Sequence, residues 1–147
     1  MNQRRLHLIV GLAAVGAFLA SGQYMRTHFP EAYLANESIR YLLRANHIDI
    51  LMSGLIHLLA ALVVKPVDSA WRAAVSWAST AVLLAAPGLL AAGFWIEAVS
   101  GMAVRRFTFY GVVSLIAGVV LAHISLIRFK PVVEWDASLP GRAKVSR

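Results

Sequence analysis

The sequence predicts an all-α integral membrane protein, a four-helix bundle in which an interfacial helix leads into the second transmembrane span. Three observations support this. Hydrophobic residues make up 59% of the chain and charged residues 14%, with a mean hydropathy of +0.68, which is too apolar for a water-soluble domain of 147 residues. The apolar residues gather into four runs, at 6–22, 48–64, 73–96 and 107–127, each near the roughly 20 residues a helix needs to cross the hydrocarbon layer. The basic residues, with a formal net charge of +7, fall in short groups at the ends of those runs. That arrangement orients a chain in a bilayer; it is not the basic stripe with interleaved aromatics that would predict a nucleic-acid partner.

Nine Lys and Arg residues outside the spans collect on one side: Arg4, Arg5, Lys65, Arg72, Arg128, Lys130, Arg142, Lys144 and Arg147. Five collect on the other: Arg26, Arg40, Arg44, Arg105 and Arg106. The positive-inside rule then places both termini in the cytoplasm of a bacterial inner membrane. Residues 1–130 are expected to form a single transmembrane domain and 131–147, with Pro140, Gly141 and scattered charge, a cytoplasmic tail. The absence of cysteine excludes disulfides, thiolate metal sites and cysteine nucleophiles.

The first span follows Arg4 and Arg5 and ends in the small residues Ala20, Ser21 and Gly22, the outline of a secretory signal. Ala13, Ala17 and Ser21, at four-residue spacing, supply a packing face that a discarded signal does not need, so a retained helix is expected. Residues 23–46 are the longest polar connection. Pro30 is expected to stop the first helix, and Asn36 to act as the N-cap of a new one with Glu37 in its first turn. From there one helix can run to Val64, about 28 residues and roughly 42 Å. Its first turns would lie in the headgroup layer, with Ile39, Leu42 and Leu43 toward apolar surroundings and Glu37, Arg40 and Arg44 toward water or phosphate.

A helical wheel divides the second span sharply. Asn46, His47, Asp49, Ser53, Gly54, His57, Ala60 and Ala61 share one side, and Ile48, Leu51, Met52, Leu55, Leu58, Leu59 and Leu62 fill the other. The polar side must face protein, because turning Asp49 and His57 to lipid costs several kcal/mol whereas leucine is at home there. In the fourth span Gly111, Ser114, Gly118, Ala122 and Ser125 share a face that permits close approach. His123 points elsewhere, among Val112, Ile116, Val119 and Leu126. The third span is alanine-rich, and Pro87 at its middle removes an amide donor and leaves a carbonyl free near Leu83. Glu97, with Arg26, Arg44, Arg105 and Arg106, forms an expected polar cluster at the outer helix ends, read as an ion-pair group that pins them together. Trp71, Trp77, Trp95 and Trp135 suit interfacial anchoring, Trp77 lying deeper.

Buried histidine is the main chemical signal, since an intramembrane ionisable group points to function. One reading is a haem b carrier ligated by His57 with His123 or His47, cofactor sites in bundles being built from facing helices; in an antiparallel bundle His57 and His123 differ in depth by about 4.5 Å. Another is an outer metal site of His28, His47 and Asp49, with Met25 nearby, where imidazole and thioether suit copper and imidazole with carboxylate suits zinc. A third is a proton or small-solute pathway along Asp49, Ser53 and His57. No P-loop, nucleophile elbow or paired carboxylate within a span suggests an enzyme. The leading expectation is therefore a non-catalytic accessory or assembly subunit of a membrane complex. Its partners would be membrane lipids and either another membrane protein or further copies of itself.

Gly22-Gln23-Tyr24-Met25-Arg26, followed by His28-Phe29-Pro30 and then Arg44-Ala45-Asn46-His47-Ile48, resembles a group of small bacterial four-helix membrane proteins with no established activity. The resemblance covers about residues 21–62 and directs attention to Arg26, His28, Arg44, His47 and Asp49 rather than to His123.

Overall fold

The computed structural model describes residues 2–32, 37–64, 69–99 and 104–127, the side chains of 29–32 excepted. The helices are α1 (Gln3–Ala32), α2 (Glu37–Val63), α3 (Ala70–Ala92) and α4 (Arg106–Leu126), and α3 continues into a π-helical turn at Gly93–Ala98. Each of the four is long and apolar enough to cross a membrane. The all-α four-helix architecture is as expected, and the chain is a multi-pass membrane protein by length and composition of its helices.

One boundary differs from expectation. Helix α1 does not stop at Pro30 but runs through it to Ala32, because a proline close to a helix end removes only one hydrogen bond before the helix would finish anyway. Helix α2 begins at Glu37 as expected. The Asn36 cap, Trp135 and the tail from Pro131 lie outside the described residues.

Helix α1 packs chiefly on α2, and α3 chiefly on α4. The first pair crosses where Gly11 meets Gly54, whose missing Cβ would stand 3.2 Å from the Gly11 carbonyl oxygen. The second crosses where Gly118 meets Leu83, with a Cβ on Gly118 falling 2.5 Å from Leu83 Cγ. Between them lies an apolar core that includes Leu43, Ile50, Leu83, Ala86, Leu90, Phe94 and Leu115.

Burial follows polarity rather than apolarity. Among the described residues, eleven apolar and eleven polar or charged side chains are buried, while Leu12, Leu19, Leu59, Leu62, Phe109 and Ile116 are each more than half exposed. In a bilayer lipid solvates leucine as well as a protein core does, so it is the polar groups that sort inward. Helix α2 obeys this closely: Asn46, Ser53, Gly54, His57 and Ala61 are buried, His47, Asp49 and Ala60 half-buried, and Ile48, Met52, Leu55, Leu59 and Leu62 exposed. Gly111, Gly118 and Ser125 of α4 are buried as well, and His123 is exposed.

On the packing face of α1, Ser21 is buried and Ala17 half-buried against the core, as expected, and Ala13 is the correction. Ala13 is exposed, and the buried stripe is His7, Gly11, Ala14, Ser21 and Met25. Residues spaced by four drift about 40° per step around a helix, whereas alternating steps of three and four hold one face toward a neighbour. Trp71, Trp77 and Trp95 are exposed.

Candidate functional site

Two buried polar clusters sit at opposite ends of the bundle. The first lies where α1 begins and α2 ends, and at its centre His7 Nδ1 and His57 Nδ1 are 2.8 Å apart, with both residues at 1% exposure or less. His57 is six residues from the end of α2, about 9 Å at helical rise. Its other nitrogen, Nε2, donates to the Leu83 carbonyl at 3.0 Å. That carbonyl lies four residues before Pro87, so it is the one whose helical amide partner proline removes. The carbonyl expected to be free near Leu83 is therefore free, and a histidine from another helix occupies it.

The far nitrogen of His7, Nε2, lies 3.2 Å from Thr80 Oγ1, and the Thr80 hydroxyl is also placed to donate to the Ser76 carbonyl at 3.0 Å. These contacts restrict the hydrogens. The Leu83 oxygen can only accept, so His57 carries its hydrogen on Nε2 and, when neutral, a lone pair on Nδ1. If Thr80 donates to His7 Nε2, then His7 donates from Nδ1 to His57 and the chain is neutral and complete. If Thr80 instead donates to Ser76, His7 Nε2 must donate to Thr80, and both Nδ1 atoms present lone pairs to each other across 2.8 Å. That second arrangement is stable only with a cation between the rings.

A cavity of about 50 Å³ adjoins this cluster, lined on its polar side by His7, Ser76, Ser79, Thr80 and Ser125. It exceeds the roughly 10–15 Å³ needed to hold a water and is far below the few hundred Å³ of an organic ligand site. Ser76 Oγ donates to Gln3 Oε1 at 3.2 Å, and Gln3 Nε2 is a buried donor without a partner.

The second cluster lies where α3 ends and α4 begins. Glu97, 2% exposed, accepts from the Phe107 amide at 2.6 Å, the Thr108 amide at 3.1 Å and the Thr108 hydroxyl at 2.7 Å. A carboxylate here satisfies amides that the first turn of α4 leaves without partners and meets the positive end of the helix dipole. The π-helical turn adds a residue to the helical repeat and Glu97 falls within it. Asn46 Oδ1 accepts from Arg105 Nη2 at 2.8 Å and lies 2.9 Å from Thr108 Oγ1, whose single hydrogen goes either to it or to Glu97.

Of the outer cluster expected from sequence, Glu97 and Arg105 are brought together through Thr108 and Asn46, whereas Arg26, Arg44 and Arg106 are exposed. The expected ion-pair role of Glu97 is corrected: among the described residues its partners are the head of α4. His47 is half-buried, stacked on Phe18 with ring centroids 4.0 Å apart, and its Nδ1 donates at 2.8 Å to Ser21 Oγ, whose hydroxyl donates in turn to the Phe18 carbonyl. His28 is exposed and stacks on Tyr24. His28, His47 and Asp49 are thus not gathered, and among the described residues no three His, Cys, Asp or Glu side chains are grouped to hold a metal.

Nor does the structure pair His57 with His123. The ring nitrogens of His57 are engaged by His7 and Leu83, and His123 faces outward. His47 and His57 are ten residues apart on one helix, about 15 Å, too far to serve as the two axial ligands of one haem. Ser53, between Asp49 and His57 on α2, donates its hydroxyl to the Ile50 carbonyl of its own helix at 2.8 Å.

His7, Ser76 and Thr80 are site residues that sequence reasoning missed. The available signal was positional: His7 precedes Ala14 and Ser21 by one and two heptads, so a polar residue sits on the stripe that packs against α2. Compared with known protein families, characterised proteins and solved structures, the chain matches none.

Proposed function

We propose that this chain is a non-catalytic accessory or assembly subunit of a membrane complex and that a partner's transmembrane helix docks on the outward face of α3. The supporting observation is a line of small residues, Ala74, Ala78, Ala81, Ala85 and Gly88, all exposed and spaced alternately by four and three. A Cβ added at Gly88 would meet nothing within 4 Å. The outward faces of the neighbouring helices are different, carrying Met52, Leu55, Leu59 and Leu62 on α2 and Phe109, Val113, Ile116 and Val120 on α4. Lipid packs equally well against large side chains, whereas a second helix gains close backbone approach from small ones. The bias of basic residues supports cytoplasmic termini in a bacterial inner membrane.

The absence of native cysteines makes a direct test available. Ala81→Cys is expected to cross-link in native membranes to a different membrane protein, and Ile116→Cys on α4 is not. Ala81→Leu should convert the larger species seen on sizing in gentle detergent to the free subunit. A wild-type chain that runs as a clean monomer, or an Ala81→Cys product containing only two copies of this chain, would overturn the proposal.

A further inference from the structure

The outward groove between α1 and α2 carries a polar site at the end of the bundle where α1 finishes and α2 begins. We propose that it binds a lysophospholipid, a single-chain lipid with an anionic phosphate and one free glycerol hydroxyl. The centre of the site is His47. Its Nδ1 lies 2.8 Å from Ser21 Oγ, whose hydroxyl donates to the Phe18 carbonyl at 2.9 Å. With that hydrogen committed, Nδ1 carries the ring hydrogen of neutral His47 and Nε2 carries the lone pair. Ser21 is fully buried and His47 half-buried. The two nitrogens of an imidazole point in nearly opposite directions, so Nε2 is turned away from the core. No hydrogen-bond partner meets it among the described residues. Gly22 keeps the approach open, since a Cβ there would stand 3.0 Å from His47 Cε1 and 3.6 Å from Nε2. Stacking on Phe18, with ring centroids 4.0 Å apart, holds the imidazole in place.

The phosphate is assigned by charge and register. Arg26 follows Gly22 by four residues and Arg44 precedes His47 by three. The contacts of Gly22 with His47 and of Gly11 with Gly54 make α1 and α2 antiparallel, so both arginines lie about 4.5 to 6 Å nearer the helix ends than His47. Each is turned by roughly 40° to 60° from its contact residue toward the outward side of the groove, and both are exposed. Guanidinium groups take phosphate oxygens in pairs. In a lysophospholipid the carbon next to the one carrying the phosphate bears the free hydroxyl. With the arginines on the phosphate, that hydroxyl falls at the depth of His47 Nε2 and donates to it. In a diacyl lipid the same oxygen is esterified and has no hydrogen to give.

The chain is assigned by the groove itself. Toward the middle of the bundle Val15, Leu51 and Leu58 are half-buried along it, and Leu12, Leu19 and Leu55 are exposed at its edges. Close approach of the two backbones at Gly11 and Gly54 keeps the groove shallow, which suits one acyl chain rather than two.

The test uses the full chain in a neutral detergent, titrated with lysophosphatidylglycerol and read by native mass spectrometry. Wild type is expected to take one lysolipid per chain. It should bind this lipid more tightly than diacyl phosphatidylglycerol, and more tightly than the analogue with hydrogen in place of the free hydroxyl, by about tenfold, the scale of one well-placed hydrogen bond. His47→Phe keeps the stack on Phe18 and should lose the preference for the hydroxyl. Arg26→Gln combined with Arg44→Gln should weaken lysolipid and analogue alike and leave the preference intact. Absence of bound lysolipid would overturn the proposal. So would equal affinity of wild type for lysolipid and analogue, or a preference that survives His47→Phe. Diacyl lipid bound as tightly would overturn the single-chain assignment, and competition by glycerol 3-phosphate as strong as by lysolipid would assign the site to a water-soluble phosphate. None of these outcomes bears on partner docking at α3, which is tested separately.

Discussion

The polar cluster at the head of α4 is built mostly from groups whose hydrogen-bonding roles are fixed, and the cluster at the start of α1 mostly from groups whose roles can change. At the first, backbone amides and a guanidinium only donate, and the Glu97 carboxylate and Asn46 Oδ1 only accept. The Thr108 hydroxyl can turn between Glu97 and Asn46, while the amide and guanidinium bonds keep one arrangement and fasten α4 to α3 and α2. At the second, two imidazoles and a hydroxyl each donate or accept according to their neighbours, and the Leu83 and Ser76 carbonyls have fixed roles. Both clusters are buried and both satisfy helix backbone. The difference teaches that burial alone does not separate structural from functional polar groups in a membrane bundle. Reversibility of the hydrogen-bond roles is the better guide.

The largest effect is expected from breaking the fixed cluster. Glu97→Ala leaves two amides of α4 without an acceptor in a buried setting, and stability should fall by roughly 2–4 kcal/mol. Glu97→Gln, which keeps one acceptor oxygen, should lose less. Reversible unfolding in mixed micelles measures both, and equal losses would show that the carboxylate does not hold α4 as described.

A sharper test of the reversible cluster is a double-mutant cycle between His57 and Pro87. His57→Phe strips the Leu83 carbonyl of its donor, an expected loss of about 1–3 kcal/mol. Pro87→Ala supplies the missing helical amide. The double variant should therefore recover on the order of 1 kcal/mol relative to the sum of the single changes. Strict additivity would mean that His57 does not compensate for the proline.

The smallest effect is expected at His123, which faces outward near the end of α4. His123→Ala should change stability by no more than about 0.5 kcal/mol. A large loss, read from reversible unfolding in mixed micelles, would place this ring in a contact that the bundle as described does not contain.

Much of the second span was legible because its two faces differ in kind. Placing Asn46, Ser53 and His57 inward needed only the cost of polar groups in lipid, and the structure agrees. The small-residue face of α4 was legible for the same reason. The face of α1 was legible only in part, at Ala17 and Ser21, because alanine is tolerated on either side and spacing by four also pointed to Ala13, which is exposed. Glu97 was recognised as important, but its partners were not. An acid near five arginines suggests ion pairs, and nothing in the residue order announces that a π-helical turn and the head of α4 lie together.

By itself the sequence determined four membrane-crossing helices, the inward face of α2 and α4, and a carbonyl released by Pro87, all of which follow from local periodicity or from the covalent structure of a single residue. Only the tertiary structure decided that His7 from the first span, His57 from the second and Thr80 and Leu83 from the third meet at one depth. That meeting depends on how far each helix slides along its neighbours. The slide is set by close contacts such as Gly11 against Gly54 and Gly118 against Leu83, pairwise relations between distant segments that no single run of sequence contains.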